Sequence, residues 1–205
     1  MCRSRNLGLL AAKGELQTYL DDDNWIEPTF VAEAIAFFKD NPSCFYSMTR
    51  QYRRRDVVKD GQTIRQGKPF ISPDIGTSIE SLLLQKSLFD SNGFVHRLCS
   101  FQWNPNYRIF ADYEFLLQCV NRWGCTAFKL NPQILVNYIQ KSTGVVGRSN
   151  YGEWASELEA ICVNQDQYGS SVANLITEVL ASQANKYYIL QNNGVKISGF
   201  AQKLC

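Results

Sequence analysis

The chain has 205 residues, 45% of them hydrophobic and 20% charged, a balance that fits one globular domain with a sizeable core and excludes a disordered segment. Its 21 basic and 19 acidic residues leave a net charge of +2, too weak a field to imply nucleic-acid binding. The seven cysteines are odd in number and lack C-x-x-C spacing, which argues against a zinc site or a disulfide framework and for reduced thiols, and no apolar run approaches the ~18 residues of a membrane span.

Residues 5–13 predict a helix with Leu7, Leu10 and Ala11 on one face and Gly14 as its stop. Residues 15–20 alternate as a strand, expected in the interior of the sheet, that runs straight into Asp21, Asp22, Asp23 and Asn24. Pro28 is suited to a first helical turn and opens a helix to residue 39, with Val31, Ile35 and Phe38 as its apolar stripe. Residues 44–51 form a strand, and Asp60-Gly61 is a hairpin turn before a second strand at 62–66. The basic cluster Arg50, Arg53, Arg54 and Arg55 lies nearby. It reads as a solvated rim, with phosphate or an anionic lipid surface as the alternative contact.

Residues 78–85, centred on three leucines, predict a strand, and residues 86–92 a short helix stopped by Gly93. Residues 112–123 make the clearest helix of the middle region, with Phe115, Cys119 and Trp123 four apart and Gly124 at the end. Short strands at 125–130 and 134–138 and two helices at 151–165 and 171–186 complete the pattern. Strands alternating with helices imply an α/β domain with a mixed sheet.

The three aspartates at the end of an apolar strand are the first chemical signal. Ligands of open α/β sheets gather at the carboxyl ends of strands. Asp21 and Asp23 can face one ligand while Asp22 faces away. A hard divalent ion held by one or two carboxylates is completed by water and substrate phosphates. A polar loop capping the next helix is the alternative. An EF-hand does not fit, because Ile26 stands at the sixth position and Ala32 at the twelfth.

Around this loop, Arg5-Asn6-Leu7-Gly8 with Ala12 and Gly14, then Asp21-Asp22-Asp23 and Pro28, resemble the middle of family 2 glycosyltransferases. There a helix of type R-N-x-G leads to a strand, a D-x-D motif and a Pro-started helix. Asn92-Gly93-Phe94 resembles the family's G-G-F stretch, and Ala111-Asp112 its E-D helix start, with Ala in place of Glu. The resemblance spans roughly residues 5–138.

It implies a GT-A-like three-layer sandwich with a mixed sheet, lacking the first strands, over residues 1–145, followed by a C-terminal helical extension over 146–205. It implies transfer of a sugar from a nucleoside-diphosphate sugar to a saccharide or other hydroxyl acceptor, with inversion. Asp112 would be the general base; Asp23 and Asp21 would hold Mn²⁺ or Mg²⁺, and Asp21, Asp22 and Lys141 would contact the donor. A sugar hydroxyl needs such a base, and a leaving diphosphate needs charge neutralisation. Trp103 and Asn104, before Asp112, are candidates for the acceptor, since an aromatic face and an amide suit a sugar ring. Lys141 stands near where relatives carry a His, and the one histidine, His96, has no assigned role.

The implied location is the cytoplasm, with room for peripheral contact at the inner face of a membrane. Two other classes compete: a truncated, non-catalytic domain acting as an interaction module, and a carboxylate-rich metal-binding domain unrelated to sugars.

Overall fold

The computed structural model describes residues 1–197, so the end of the predicted extension, Cys205 included, lies outside them. Seven strands, β1 (Leu16–Thr18), β2 (Trp25–Ile26), β3 (Tyr46–Lys59), β4 (Gln62–Arg65), β5 (Phe70–Ser72), β6 (Phe94–Arg97) and β7 (Phe128–Lys141), form one mixed sheet. The strand order is β1-β6-β3-β7-β2, with β4 and β5 branching from β3. β3 and β7 run parallel and the other pairs antiparallel.

Alternation along the strands separates two cores. Phe94 of β6 and Tyr46 and Met48 of β3 face α3 (Ile79–Leu83), α4 (Ala111–Trp123), α6 (Tyr151–Val163) and α7 (Ser170–Asn192). Val95 of β6 and Val136 of β7 face α2 (Phe30–Asp40) on the opposite side. The result is three layers, helix, sheet and helix, with α1 (Cys2–Ala11) docked at one end by Cys2 and Leu9. Leu158, Ile161, Ile176 and Leu180 of α6 and α7 join the same core as Phe115 and Leu116 of α4.

Several elements differ from expectation. β1 lies at the end of the strand order among the described residues, not in its interior. Leu7 and Leu10 of α1 are exposed at 69% and 72%, because the face turned inward carries Cys2, Arg5, Asn6 and Leu9. In α2 the buried stripe is Phe30, Ala34 and Phe38; Val31 and Ile35 point outward. Of the leucine run at 82–84, Leu82 and Leu83 close helix α3 and Leu84 is its C-cap; none lies in a strand. Ser78 caps the start of the helix by accepting from the Ser81 N–H, and Ile79, Leu82 and Leu83 take the spacing of a helix face.

Residues 86–92 form a loop instead of a helix: the Asp90 carboxylate accepts from the Asn92 N–H at 2.9 Å, an Asx turn that competes with helical bonding. Gly93 then takes φ +76°, and a Cβ there would lie 2.6 Å from Thr49 Cγ2 and 2.8 Å from Val136 Cγ2. The two strands expected at 125–130 and 134–138 are one strand, β7, preceded by a single 3-10 turn. Pro132 sits where the pairing with β3 shifts register, the bulge position a residue without N–H tolerates. Asp60 and Gly61 both have positive φ, as the two-residue hairpin turn between β3 and β4 demands.

The arginine cluster is not a solvated rim. All four residues lie in β3, and Arg53 is only 4% exposed. It pairs with the buried Asp90 at 2.5 Å and stacks over Tyr138 at 4.4 Å. Arg54 grips Asp56 through two hydrogen bonds of 2.9 Å, Arg55 donates to Gln140, and Arg50 donates to the Pro73 carbonyl. Such burial is affordable only with charge partners in place.

Candidate active site

The aspartate loop leaves β1 at its carboxyl end and opens onto a cleft of about 910 Å³. Asp21, Asp22, Asp23, Arg5, Asp112 and Lys141 all line it, and Ile109, Val145 and Val146 give one side an apolar wall. Elements distant in sequence therefore converge: α1, the β1–β2 loop, the start of α4 and the end of β7.

Asp112 lies in the first turn of α4, one residue after Ala111 opens it. Its side chain is 22% exposed and does not cap its own helix. Oδ1 instead accepts from Arg5 Nη1 at 2.7 Å, and Oδ2 has no hydrogen bond among the described residues. Burial pushes the carboxyl above its ordinary range, the Arg5 charge pulls it back, and the Asp90 and Asp21 charges push the same way as burial. The N–H groups ahead of α4 are met from the C-terminal helices: the Glu157 carboxylate accepts from Arg108, Ile109 and Phe110 at 2.8–3.0 Å.

Arg5 Nη2 reaches Asp21 Oδ1 at 2.9 Å, so one guanidinium, only 8% exposed, bridges the aspartate loop and the helix of Asp112. Asp21 Oδ2 accepts from the Asn92 side-chain amide at 3.0 Å, while Asn92 Oδ1 accepts from the Asp21 N–H at 2.9 Å. Behind Asn92, Gln51 donates to its carbonyl and to Asp90, which Arg53 holds. Asp21 is thus the outer end of a buried polar network. Both of its oxygens are engaged by protein partners.

Asp23 differs. It is 37% exposed, with Oδ1 on the neighbouring Asn24 amide and Oδ2 3.6 Å from Lys141 Nζ. Asn24 fixes the loop by accepting from the Ile139 N–H at 2.7 Å. Asp22 is exposed at the rim. Among the described residues no three His, Cys, Asp or Glu side chains converge as a ready-made metal cage. One accessible carboxylate facing a cleft still suits a hard divalent ion that takes its other ligands from water and phosphates.

Trp103 is not an open platform for a sugar. It is 1% exposed, one face stacked on Phe115 at 4.2 Å and 7°, the other under Arg5, whose Cζ lies 4.3 Å from the ring centroid. Asn6 locks it by bonding both its N–H and its carbonyl, at 2.8 and 2.9 Å. Asn104 is turned to the Asn106 N–H and does not line the cleft. Neither lines the cleft of the aspartate loop: Trp103 is covered on both faces, and Asn104 is turned to its own loop. His96 is fully buried in β6. Its Nδ1 donates to the Arg97 carbonyl at 2.7 Å, so Nε2 accepts from the Tyr19 hydroxyl at 2.8 Å, and burial pushes its pKa down to about 4.

Arg5 and Asn92 belong to the family-like stretches, but the sequence alone points to no site role for either. Arg53 reads there as rim charge, and Asp90 and Glu157 carry no signal, because the Arg53–Asp90 and Phe110–Glu157 contacts span 37 and 47 residues.

The family model described as glycosyl transferase family 2 matches residues 1–103. Among solved structures, the chain is similar to Staphylococcus aureus TarS 1–349 in complex with UDP-GlcNAc, with a TM-score of 0.63 at 12% identity over 95% of this chain and 55% of that one. It is also similar to S. aureus TarS 1–349 (TM-score 0.58, 14% identity, 100% and 55%) and to S. aureus TarS (0.55, 16%, 94% and 32%). The chain spans just over half of the first two and a third of the last, and at these identities the likeness shows the GT-A fold alone. No curated protein matches.

Proposed function

The chain belongs to glycosyl transferase family 2, and from that membership we propose that this cleft moves a sugar from a nucleoside-diphosphate donor to an acceptor hydroxyl with inversion. The observation that carries the proposal is convergence. An accessible carboxylate, Asp23, and a recessed one, Asp112, face the same cleft from different elements.

Asp112 is the base in this reading. Its free Oδ2 is available to take the acceptor proton while Oδ1 stays on Arg5. Lys141, loosely held at 3.6 Å by Asp23, can turn to a diphosphate oxygen at little cost. Asp23 would hold a divalent cation, Mn²⁺ or Mg²⁺, which when bound neutralises charge on the leaving diphosphate. The apolar side chains of Ile109, Val145 and Val146 also line the cleft, where they would lessen the access of bulk water. The TarS structure holding UDP-GlcNAc makes uridine-diphosphate sugars the first donors to try.

No helix of the described residues is long and apolar enough to cross a membrane. All six described cysteines are free thiols, and we place the protein in the cytoplasm on that basis. The test is transfer from radiolabelled nucleoside-diphosphate sugars to a panel of saccharide acceptors, with and without Mn²⁺. Metal-stimulated product with inverted anomeric configuration is expected. Donor binding without transfer to any acceptor would put the non-catalytic interaction module ahead.

A further inference from the structure

We infer that Arg5 is a positioning residue that couples the aspartate loop to Asp112, so that the donor side and the base are assembled as one unit. The inference rests on the glycosyl-transfer reading for its chemistry and on geometry for its mechanics. A guanidinium is a rigid planar fork, and here its two terminal nitrogens serve two carboxylates at once, Asp112 Oδ1 at 2.7 Å and Asp21 Oδ1 at 2.9 Å. Neither carboxylate can shift without pulling the other.

The fork is itself fixed by the helix it serves. Arg5 lies on Trp103, Trp103 lies on Phe115, and Phe115 follows Asp112 by three residues on α4. The layers Arg5, Trp103 and Phe115 set the plane of the guanidinium from below, and Asn6 pins the Trp103 backbone. The Arg5-Asn6 pair thus does two linked jobs, one side chain clamping the carboxylates and the next holding the clamp's seat. The clamp leaves Asp112 Oδ2 without a hydrogen bond among the described residues, so positioning does not block proton uptake.

Other charged or titratable groups surround the clamp: Asp21 from the loop, Asp90 behind it, the Cys2 thiol on α1 and Tyr19, whose ring lies 5.9 Å from Arg5 Cζ. Removing Arg5 would leave Asp112 and Asp21 as like charges without their shared cation, with Asp90 still held by Arg53. Lysine in its place can reach one carboxylate as a point charge but cannot fork between two while stacked.

The experiment compares wild type, Arg5→Gln and Arg5→Lys by two measurements. The first is titration of the Asp112 carboxyl carbon by NMR, which needs no turnover. The expected result is an upward shift of about 1 to 3 pH units in Arg5→Gln, largely recovered in Arg5→Lys. The second is the pH dependence of kcat. Arg5→Gln should lower kcat by roughly 10²-fold or more and move the acid limb upward with the titration, and Arg5→Lys should restore the limb but only part of the rate. Melting curves identify any variant that fails to fold, and if Arg5→Gln fails, Arg5→Lys carries the test through its split between limb and rate. An unshifted Asp112 titration in folded Arg5→Gln would overturn the inference, as would a full return of kcat in Arg5→Lys. Absence of transfer in wild type would sink the transfer reading and leave the titration to decide whether Arg5 holds Asp112.

Discussion

Asp21 and Asp23 stand two residues apart in one loop, yet their surroundings are opposite. Asp21 is held by Arg5 and by a reciprocal pair of bonds with Asn92, and a buried network continues behind it to Arg53. Asp23 faces the cleft, touched by an adjacent amide and a half-exposed lysine. The difference teaches that a D-x-D pattern need not mean two equivalent ligands. One carboxylate can fasten the loop to the fold while the other stays free to meet a ligand.

The sharpest test of the fastened half is Asp112→Asn. The amide keeps an oxygen for Arg5 Nη1 and fits the same helix turn, so donor binding and melting temperature should stay near wild type. Transfer should fall by roughly 10²–10⁴-fold, a loss confined to the transition state. A variant that melts early with turnover per folded molecule intact would make Asp112 a packing residue only.

His96 sits beneath the same half, behind Tyr19. Its pKa is near 4 in the folded protein against 6.5 unfolded, so the unfolded chain binds the proton first. The stability this burial confers is complete above pH 6.5 and is lost as pH falls toward 4, by on the order of 3 kcal/mol. Denaturant melts of wild type and His96→Phe at pH 7, 5.5 and 4 should show a steeper decline in wild type; parallel declines would count against the buried neutral ring.

Asp21→Ala should cost about 2 kcal/mol, the scale for losing charged hydrogen bonds, seen as a lower melting temperature without any ligand. Asp23→Ala should leave stability within about 0.5 kcal/mol of wild type and abolish any strengthening of nucleotide binding by Mn²⁺. Calorimetric titration of both variants checks the pair: equal melting temperatures, or metal dependence kept in Asp23→Ala, would erase the contrast.

The sequence patterns that proved legible were local ones. The α4 stripe, the Asp60-Gly61 turn and the run from Arg5 to Pro28 each carry their information within a few residues. What stayed hidden depends on partners far along the chain. The α1 face was misjudged because leucines were taken to face inward, whereas Arg5 and Asn6 do, each meeting a partner 97 or 107 positions away. Arg53 looked like a surface charge because Asp90 could not be paired with it from spacing. Trp103 looked available because its stacking on Phe115 is tertiary. The leucine run at 82–84 fits a buried strand and a helix alike, and Ser78 was the overlooked arbiter.

The stack of Arg5 on Trp103 also gives this molecule an internal optical gauge. Four indoles are present, and among the described residues Trp103 is the one with a guanidinium over its face. A positive charge fixed against an indole shifts and dims its emission. Any ligand that draws Arg5 toward Asp21, or away from it, should therefore register as light from inside the fold, with no dye attached and no reaction required.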